Sequence, residues 1–180
     1  MRTIYLATDH AGFSLKEVIK NWLLKGGEYT VVDCGAKHFE PGDDFPDYIA
    51  LAAKAVSTNP KIARAIIIGG SGQGEAMLAN RFSNVRATTY YGHELDIIRL
   101  SREHNDANIL SLGARFMSNE EALEAVATAL RRSAESRRDG RTHRAATAGE
   151  RPAAFAPPTI PRAVRSSRSA RPARPVSACC

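Results

Sequence analysis

The sequence predicts an α/β protein: a Rossmann-like three-layer α/β/α sandwich with a five-stranded parallel sheet. Strand and helix signals alternate along the first 130 residues, as they do in open parallel sheets. The run Ala65 to Ile68 is continuously apolar, which a strand buried on both faces requires. A glycine-rich segment follows that run and opens a helix. In such a sheet, ligands are expected at the carboxyl ends of the strands.

Each element has its own signal. Strands are predicted at residues 3–8, 29–33, 65–68, 86–91 and 109–112. Helices are predicted at 14–24, 45–57, from the glycine-rich segment to about 81, at 94–103, and after a cap at Ser118 or Asn119. The first helix carries one apolar stripe, formed by Leu15, Val18, Ile19, Trp22 and Leu23. The pair Gly26-Gly27 is expected to end that helix.

Charge divides the chain into two parts. Residues 131–180 hold 12 arginines and three acidic residues, whereas residues 1–130 hold 13 basic and 16 acidic side chains. The net charge of +6 therefore describes the tail rather than the body. We expect one folded domain over residues 1–138. The basic segment 139–180, rich in Arg, Pro, Ala and Ser, has no apolar periodicity and is predicted to be disordered.

The cysteines and the N-terminus favour a cytoplasmic protein. Cys34 stands alone and Cys179 and Cys180 are adjacent, so their spacing fits neither a disulfide framework nor a zinc site. The chain begins with a strand signal rather than a secretory signal, and no run reaches the roughly 18 apolar residues of a membrane span. We expect no metal, no cofactor and no membrane partner.

The glycine loop, residues 69–75, is the most specific motif. Glycines allow a ligand to approach the backbone and allow successive N–H groups to point at an anion. The spacing of Gly70, Gly72 and Gly74 is G-x-G-x-G, which is not the dinucleotide fingerprint, and no Lys-Ser or Lys-Thr follows as in a P-loop. The loop is thus suited to one small anion or oxyanion. A purely structural tight turn is the alternative.

Glu75 lies in the first turn of the following helix, four residues after Ser71, so both side chains are expected to face one pocket. A glutamate there often serves only to stabilise the helix dipole. The functional alternative is a general base beside an oxyanion-stabilising loop, as proton abstraction next to a carbonyl requires. The helix dipole lowers the pKa of a carboxyl group and desolvation raises it, so a working base needs desolvation to prevail.

Further polar residues are expected at the same edge of the sheet. Asp9 and His10 directly follow the first strand, and Arg115 follows the fifth, where a phosphate is expected. His104 and Asn105 lie between the fourth helix and the fifth strand, and we expect them near the opening of the glycine loop. Taken singly, these histidines and this arginine fit structural or solvent-exposed positions equally well.

Together these segments resemble ribose-5-phosphate isomerase B and the related galactose-6-phosphate isomerase subunits. The matching segments run in order across residues 3–130. They are Ala7-Thr8-Asp9-His10-Ala11-Gly12-Phe13, Asp33-Cys34-Gly35, Asp44-Phe45-Pro46-Asp47-Tyr48, Gly69 to Glu75 with Ala79-Asn80-Arg81, Ser101 to Asn108, and Leu112-Gly113-Ala114-Arg115.

The resemblance implies a metal-free aldose–ketose isomerase that interconverts ribose 5-phosphate and ribulose 5-phosphate through a cis-enediolate. It implies a homodimer or a tetramer with active sites at the subunit interface. By position, His104 with Asp9 would open the sugar ring. Ser71, Asn105 and the amides of the 70–74 loop, which includes Gly70, Gly72 and Gly74, would stabilise the enediolate. His10 and Arg115 would bind phosphate.

The resemblance also identifies the base. One branch of the family uses a cysteine at the position of Gly69, which has no side chain here, and the other uses a glutamate at the position of Glu75. The family's C-terminal Arg-His pair is absent. Arg137 and Arg141 keep an i, i+4 spacing and are the candidates for the phosphate clamp. Gly140 weakens a helix there by about 1 kcal/mol relative to alanine.

Three alternatives remain open from the sequence. The substrate could be a six-carbon sugar phosphate such as allose or galactose 6-phosphate. The chain could bind a sugar phosphate with impaired turnover because its C-terminal segment departs from the family. The basic tail could bind nucleic acid, which we do not expect to be its main role.

Overall fold

The computed structural model describes residues 2–131, which form five strands and five α-helices. The strands are β1 (Arg2–Thr8), β2 (Tyr29–Asp33), β3 (Ala63–Gly69), β4 (Ala87–Tyr90) and β5 (Ile109–Gly113). The helices are α1 (Phe13–Gly26), α2 (Phe45–Thr58), α3 (Gln73–Ala79), α4 (Asp96–Asn105) and α5 (Asn119–Leu130). A short 3-10 helix, His10–Gly12, joins β1 to α1. Each predicted element is present.

The five strands form one parallel sheet in the order β2-β1-β3-β5-β4. Thr8 pairs with Ile68, and Gly69 with Gly113, so the ends of β1, β3 and β5 lie side by side. Right-handed crossovers place α1, α4 and α5 on one face of the sheet and α2 and α3 on the other. The predicted fold class, a five-stranded parallel α/β/α sandwich, is confirmed.

Alternate residues of the strands contribute side chains to two hydrophobic cores, one on each face of the sheet. Ile66 and Ile68 of β3 pack with α1, α4 and α5, whereas Ala65 and Ile67 pack with α2 and α3. This is the period of two that a strand covered on both faces must have. The second core is rich in alanine: Ala7, Ala52, Ala53, Ala63, Ala65 and Ala79 are all fully or almost fully buried. Small side chains allow α2 and α3 to lie close to the sheet that carries the glycine loop.

The helix boundaries follow local chemistry. Gly27 adopts φ 66° and ends α1, as the sequence predicts. The side chain of Ser118 accepts a hydrogen bond from the Glu121 N–H and that of Glu121 accepts one from the Ser118 N–H, a capping box that starts α5. Helix α3 ends at Ala79, about two residues before the predicted end.

Two residues of α1 differ from the predicted stripe. Trp22 is 39% exposed, because it lies at the border of the core face. Lys16, a charged residue, is fully buried, and its Nζ donates to Asp33 Oδ2 at 2.9 Å and to the carbonyl oxygen of Ala36 at 2.5 Å. A buried ammonium is tolerated only when it is paired in this way. The ion pair ties α1 to the segment that leaves β2.

The predictions for the C-terminal segment lie outside the described residues. They concern Arg137 and Arg141, the domain boundary at 138, and the tail 139–180. Within residues 2–131, no helix has both the length and the apolar character needed to cross a membrane.

Candidate active site

The carboxyl ends of β1 and β3 form the crevice in which a ligand is expected. Strands β1 and β3 are neighbours in the sheet. After β1 the chain crosses to β2 on one side of this pair, and after β3 it crosses to β4 on the other side. Loops that diverge from adjacent strands leave a crevice between them, the usual ligand position in open parallel sheets. Asp9 and His10 lie on the β1 side of this crevice, and residues 69–75 lie on the β3 side.

The glycine loop is held by β5. The N–H groups of Ala114 and Arg115 donate to the carbonyl oxygens of Gly69 and Gly70, at 2.9 and 3.1 Å. The buried hydroxyl of Ser111 donates to the carbonyl oxygen of Gly72 at 2.6 Å. Gly72 has φ 75°, and a β-carbon on it would lie 2.9 Å from the carbonyl carbon of Leu112. Glycine is therefore required at position 72, and the loop is held by hydrogen bonds to β5 and to the two residues that follow it.

Glu75 lies beneath this loop and is only 6% exposed. Its carboxylate fills the space that a side chain on Gly69 would need, since even its farther oxygen, Oε2, lies 2.6 Å from a β-carbon built there. Burial raises the pKa of the Glu75 carboxyl, its own backbone N–H opposes this, and the charge of Asp9 raises it further. Desolvation prevails over the hydrogen bond, as a base working near neutral pH requires.

Ser71 and Arg115 form the exposed side of the loop. The hydroxyl oxygen of Ser71 accepts a hydrogen bond from the Gln73 N–H at 3.4 Å. The Arg115 guanidinium lies against Gly70, with Nε 3.1 Å from a β-carbon built on that glycine. Arg115 thus reaches back from β5 over the glycine loop, where a cation would meet an anionic ligand. Gly74 faces the Phe45 ring, at 3.3 Å from a built β-carbon to Cζ.

Asp9 is held by the 3-10 helix that it caps, and His10 by Asp43 in the loop that follows β2. Asp9 caps the 3-10 helix by accepting a hydrogen bond from the Ala11 N–H at 2.9 Å. The Oδ1 atom of Asp43 lies 2.7 Å from His10 Nδ1 and accepts a bond from the His10 backbone N–H at 2.9 Å. Asp43 is not among the site residues that the sequence predicts. An acidic residue just before the Asp44-Phe45 motif, in a loop that leaves a strand at its carboxyl end, was the available signal.

One oxygen or nitrogen atom each from Asp9, His10 and Asp43 lies within 4.8 Å of the others. Among residues 2–131, these three side chains are the group whose atoms lie close enough together to bind a metal ion. The short contact between His10 and Asp43 already accounts for the cluster as a hydrogen-bonded ion pair, since imidazole N–H and carboxylate oxygen are matched partners.

His104 and Asn105 do not join this cluster within one chain. They form the last turn of α4, which runs from the carboxyl end of β4 back to the amino end of β5. Both are exposed at that opposite edge, where Asp106 at φ 46° turns the chain into β5. The expectation that they lie near the opening of the glycine loop is wrong for a single chain, because a loop that precedes a parallel strand lies at the sheet edge opposite to a loop that follows one.

The structure thus assembles Asp9, His10, the glycine loop with Glu75, and Arg115 at one edge. A family model described as ribose/galactose isomerase matches residues 4–145. The chain belongs to this family. The ribose/galactose isomerases that it resembles include a probable ribose-5-phosphate isomerase B of Mycoplasma genitalium, 36% identical over 123 residues, which are 68% of this chain and 79% of that protein. The ribose-5-phosphate isomerase B of Mycolicibacterium paratuberculosis is also 36% identical, over 68% of this chain and 75% of its own length.

Solved structures of this family share the fold. The Mycoplasma genitalium ribose-5-phosphate isomerase B with bound ribulose 5-phosphate superposes with a TM-score of 0.71 at 34% identity, covering 80% of this chain and 91% of that one. The Thermotoga maritima ribose-5-phosphate isomerase B gives 0.70 at 36% identity, covering 80% and 94%.

Proposed function

We propose that this chain interconverts ribose 5-phosphate and ribulose 5-phosphate, as an aldose–ketose isomerase of the pentose phosphate pathway. The observation that carries the proposal is the Glu75 carboxylate, which is buried beneath the glycine loop with its pKa raised by desolvation. It lies in a chain that belongs to the ribose/galactose isomerase family. The reaction needs a base that both removes and returns a proton, and a carboxyl group with a raised pKa can do both.

The proton transfer proceeds in two halves. With the sugar ring open, the Glu75 carboxylate takes the proton from C2 of the aldose, and the C2–H electron pair forms the C1–C2 double bond of the enediolate. Amides of the 70–74 loop and the Ser71 hydroxyl stabilise the oxygen on which negative charge develops. Protonated Glu75 then returns the proton to C1, while the hydroxyl proton on O2 moves to O1 and the C2 carbonyl forms. The Glu75 carboxylate is thereby restored. Asp9 assists ring opening.

The phosphate end of the substrate needs cations. His10 and Arg115 lie at the same edge of the sheet as the base, and we assign them to the phosphate. Arg115 suits this role because a guanidinium presents several donors to phosphate oxygens. We assign Arg137 and Arg141 to the same clamp, from their spacing in the sequence.

A second copy of the chain completes the site. His104 and Asn105 lie at the sheet edge opposite to Glu75, so the family roles of ring opening and enediolate stabilisation require them to come from another subunit. We therefore propose a homodimer, or a tetramer built from such dimers, with active sites between subunits. We assign the folded domain to residues 1–138 and place the enzyme in the cytoplasm, to be checked by limited proteolysis and by cell fractionation.

The decisive experiment measures isomerisation by the purified full chain. We expect conversion of ribose 5-phosphate to ribulose 5-phosphate at an undiminished rate in the presence of a chelator. Allose 6-phosphate and galactose 6-phosphate, assayed beside it, should give a lower kcat/KM. A higher kcat/KM for a six-carbon substrate would transfer the assignment to that sugar, and binding without turnover would refute the isomerase activity.

Mixing two inactive variants tests the shared site. Glu75→Gln removes the base of one chain and His104→Asn removes the histidine that its partner requires. In a dimer of one chain of each variant, one of the two sites regains both groups. Random mixing makes about half of the dimers hybrid, so about a quarter of the wild-type activity should return. If both residues acted within one chain, mixing would restore nothing.

A further inference from the structure

Asp43 makes two contacts with His10 through one oxygen atom. Its Oδ1 accepts a hydrogen bond from the His10 backbone N–H at 2.9 Å and lies 2.7 Å from the Nδ1 atom of the same residue. The Asp43 side chain is only 7% exposed, whereas the His10 side chain is 31% exposed. The carboxylate is therefore the more buried partner, and the imidazole ring is the one that remains accessible to a ligand.

This geometry decides which ring nitrogen carries hydrogen. An ionised carboxylate only accepts hydrogen bonds, so His10 Nδ1 must be the protonated nitrogen of the pair. The second nitrogen, Nε2, is then left for a ligand. If the ring is neutral, Nε2 has a lone pair, which repels a phosphate oxygen. If the ring is an imidazolium, Nε2 carries hydrogen and can donate to that oxygen.

The surroundings of His10 favour the imidazolium. The Asp43 hydrogen bond raises the pKa of His10, burial opposes it, and the charges of Asp9 and Asp43 raise it further. Burial acts to raise the pKa of Asp43, but hydrogen bonds from His10 and from Tyr48 prevail and lower it. The Phe39 ring also lies close, edge-on with its centroid 6.3 Å from that of His10, and it carries no charge. The shift of each pKa thus favours the ionised form of that partner.

We propose that Asp43 is a positioning residue that fixes the His10 ring through Nδ1, so that Nε2–H meets the phosphate group of the substrate. The inference rests on the proposed function, because it takes the anion to be a sugar phosphate. Asp43 itself touches no substrate. Its carboxylate accepts the Nδ1–H of His10 and so sets both the tautomer and the orientation of the ring. Carboxylates hold metal-binding histidines in the same way.

The proposal predicts how pH affects substrate binding. A pKa raised above the ordinary 6.5 extends the charged form of His10 to higher pH, and binding weakens as pH rises through the raised value. Asp43→Asn keeps the side-chain shape but removes the charge. The His10 pKa should then fall, and a change of one unit would raise KM up to about tenfold in the window between the two values. The kcat should stay within about twofold, because the base is untouched.

Asp44→Asn is the matched control. Asp44 is adjacent, exposed and of equal charge, and its side chain makes no capping hydrogen bond at the start of α2. The experiment measures KM and kcat for ribose 5-phosphate between pH 6 and 9 in the wild type and both variants. The substrate phosphate itself titrates near pH 6, so each variant is compared with the wild type at the same pH. Asp43→Asn should raise KM above pH 7 and leave it near the wild-type value at pH 6, and Asp44→Asn should change neither.

A direct titration guards against a variant that fails to fold. NMR of histidine-labelled wild-type protein, with His10→Asn used to assign the signal, gives the His10 pKa without any variant of Asp43. A value at or below 6.5 would overturn the proposal, as would a KM increase in Asp43→Asn that is equal at every pH. The same titration with inorganic phosphate should raise the His10 pKa further. If the wild type showed that response without isomerase activity, the proposed reaction would fail and the role of Asp43 would stand.

Discussion

Gly69→Ala should lower activity about a hundredfold by displacing Glu75. The new β-carbon would lie 2.6 Å from Oε2 of Glu75 and closer still to Oε1, whereas ordinary contacts begin at 3.4 Å. The farther oxygen must therefore retreat by about 0.8 Å and the nearer one by more, and a misplacement of about 1 Å costs on the order of 10² in rate. That loss corresponds to about 2.7 kcal/mol of transition-state stabilisation.

The carboxylate is the end of a flexible side chain, so the fold should tolerate the change. We expect the free energy of unfolding, measured in urea, to change by less than about 1 kcal/mol. The assay is kcat/KM for ribose 5-phosphate. Gly26→Ala is the control, because a β-carbon there meets nothing within 4 Å; it should retain wild-type kinetics.

A double variant tests whether the loss acts through Glu75. If Gly69→Ala only displaces the carboxylate, adding it to Glu75→Gln should cost nothing more, since the group that it displaces is already inactive. Wild-type kcat/KM in folded Gly69→Ala would refute the assignment of Glu75 as the base in this position. A further large loss in the double variant would show that the substitution damages the loop itself.

Three further predictions follow from the same site. Glu75→Gln should lower kcat by about 10² to 10⁴, yet its free energy of unfolding in urea at pH 7 should equal or exceed that of the wild type. A raised carboxyl pKa contributes stability that is complete below about pH 4.5 and is lost as pH rises through the raised value; lower stability of the variant would contradict the burial argument. The acid limb of the kcat/KM profile should lie above pH 4.5, since Glu75 must be ionised to accept a proton, and full activity at pH 4.5 would exclude it as the base. Gly72→Ala should destabilise the protein by about 1–3 kcal/mol, because φ 75° and the backbone of Leu112 leave no room for a β-carbon; a melting temperature equal to that of the wild type would contradict this.

The sheet was predictable from local patterns. The apolar run of β3, the glycine at the end of α1 and the cap at Ser118 each depend on residues close in sequence. Residues that follow β1, β3 and β5 were placed correctly, because the carboxyl ends of parallel strands share one edge.

His104 was misplaced although the predicted parallel sheet is enough to place it, because a residue that precedes a parallel strand lies at the sheet edge opposite to one that follows a strand. The environments of Lys16 and Asp43 depend instead on long-range contacts. Lys16 is buried because Asp33, 17 residues away, pairs with it, and Asp43 became visible only through a contact spanning 33 residues. For Lys16 and Asp43, the role of the residue could be recognised only from a contact with a residue distant in sequence.

The space between Gly69 and Glu75 also constrains how such an enzyme can change by mutation. One volume beneath the loop holds one side chain, contributed either from the end of β3 or from the first turn of α3. In a chain that gained a cysteine at position 69 while keeping Glu75, two side chains would compete for that volume. In a chain that lost Glu75 first, no side chain would occupy it. A cysteine at position 69 and the proposed base Glu75 would be alternative occupants of a single position in space, so an exchange between them would pass through an intermediate that is crowded or empty.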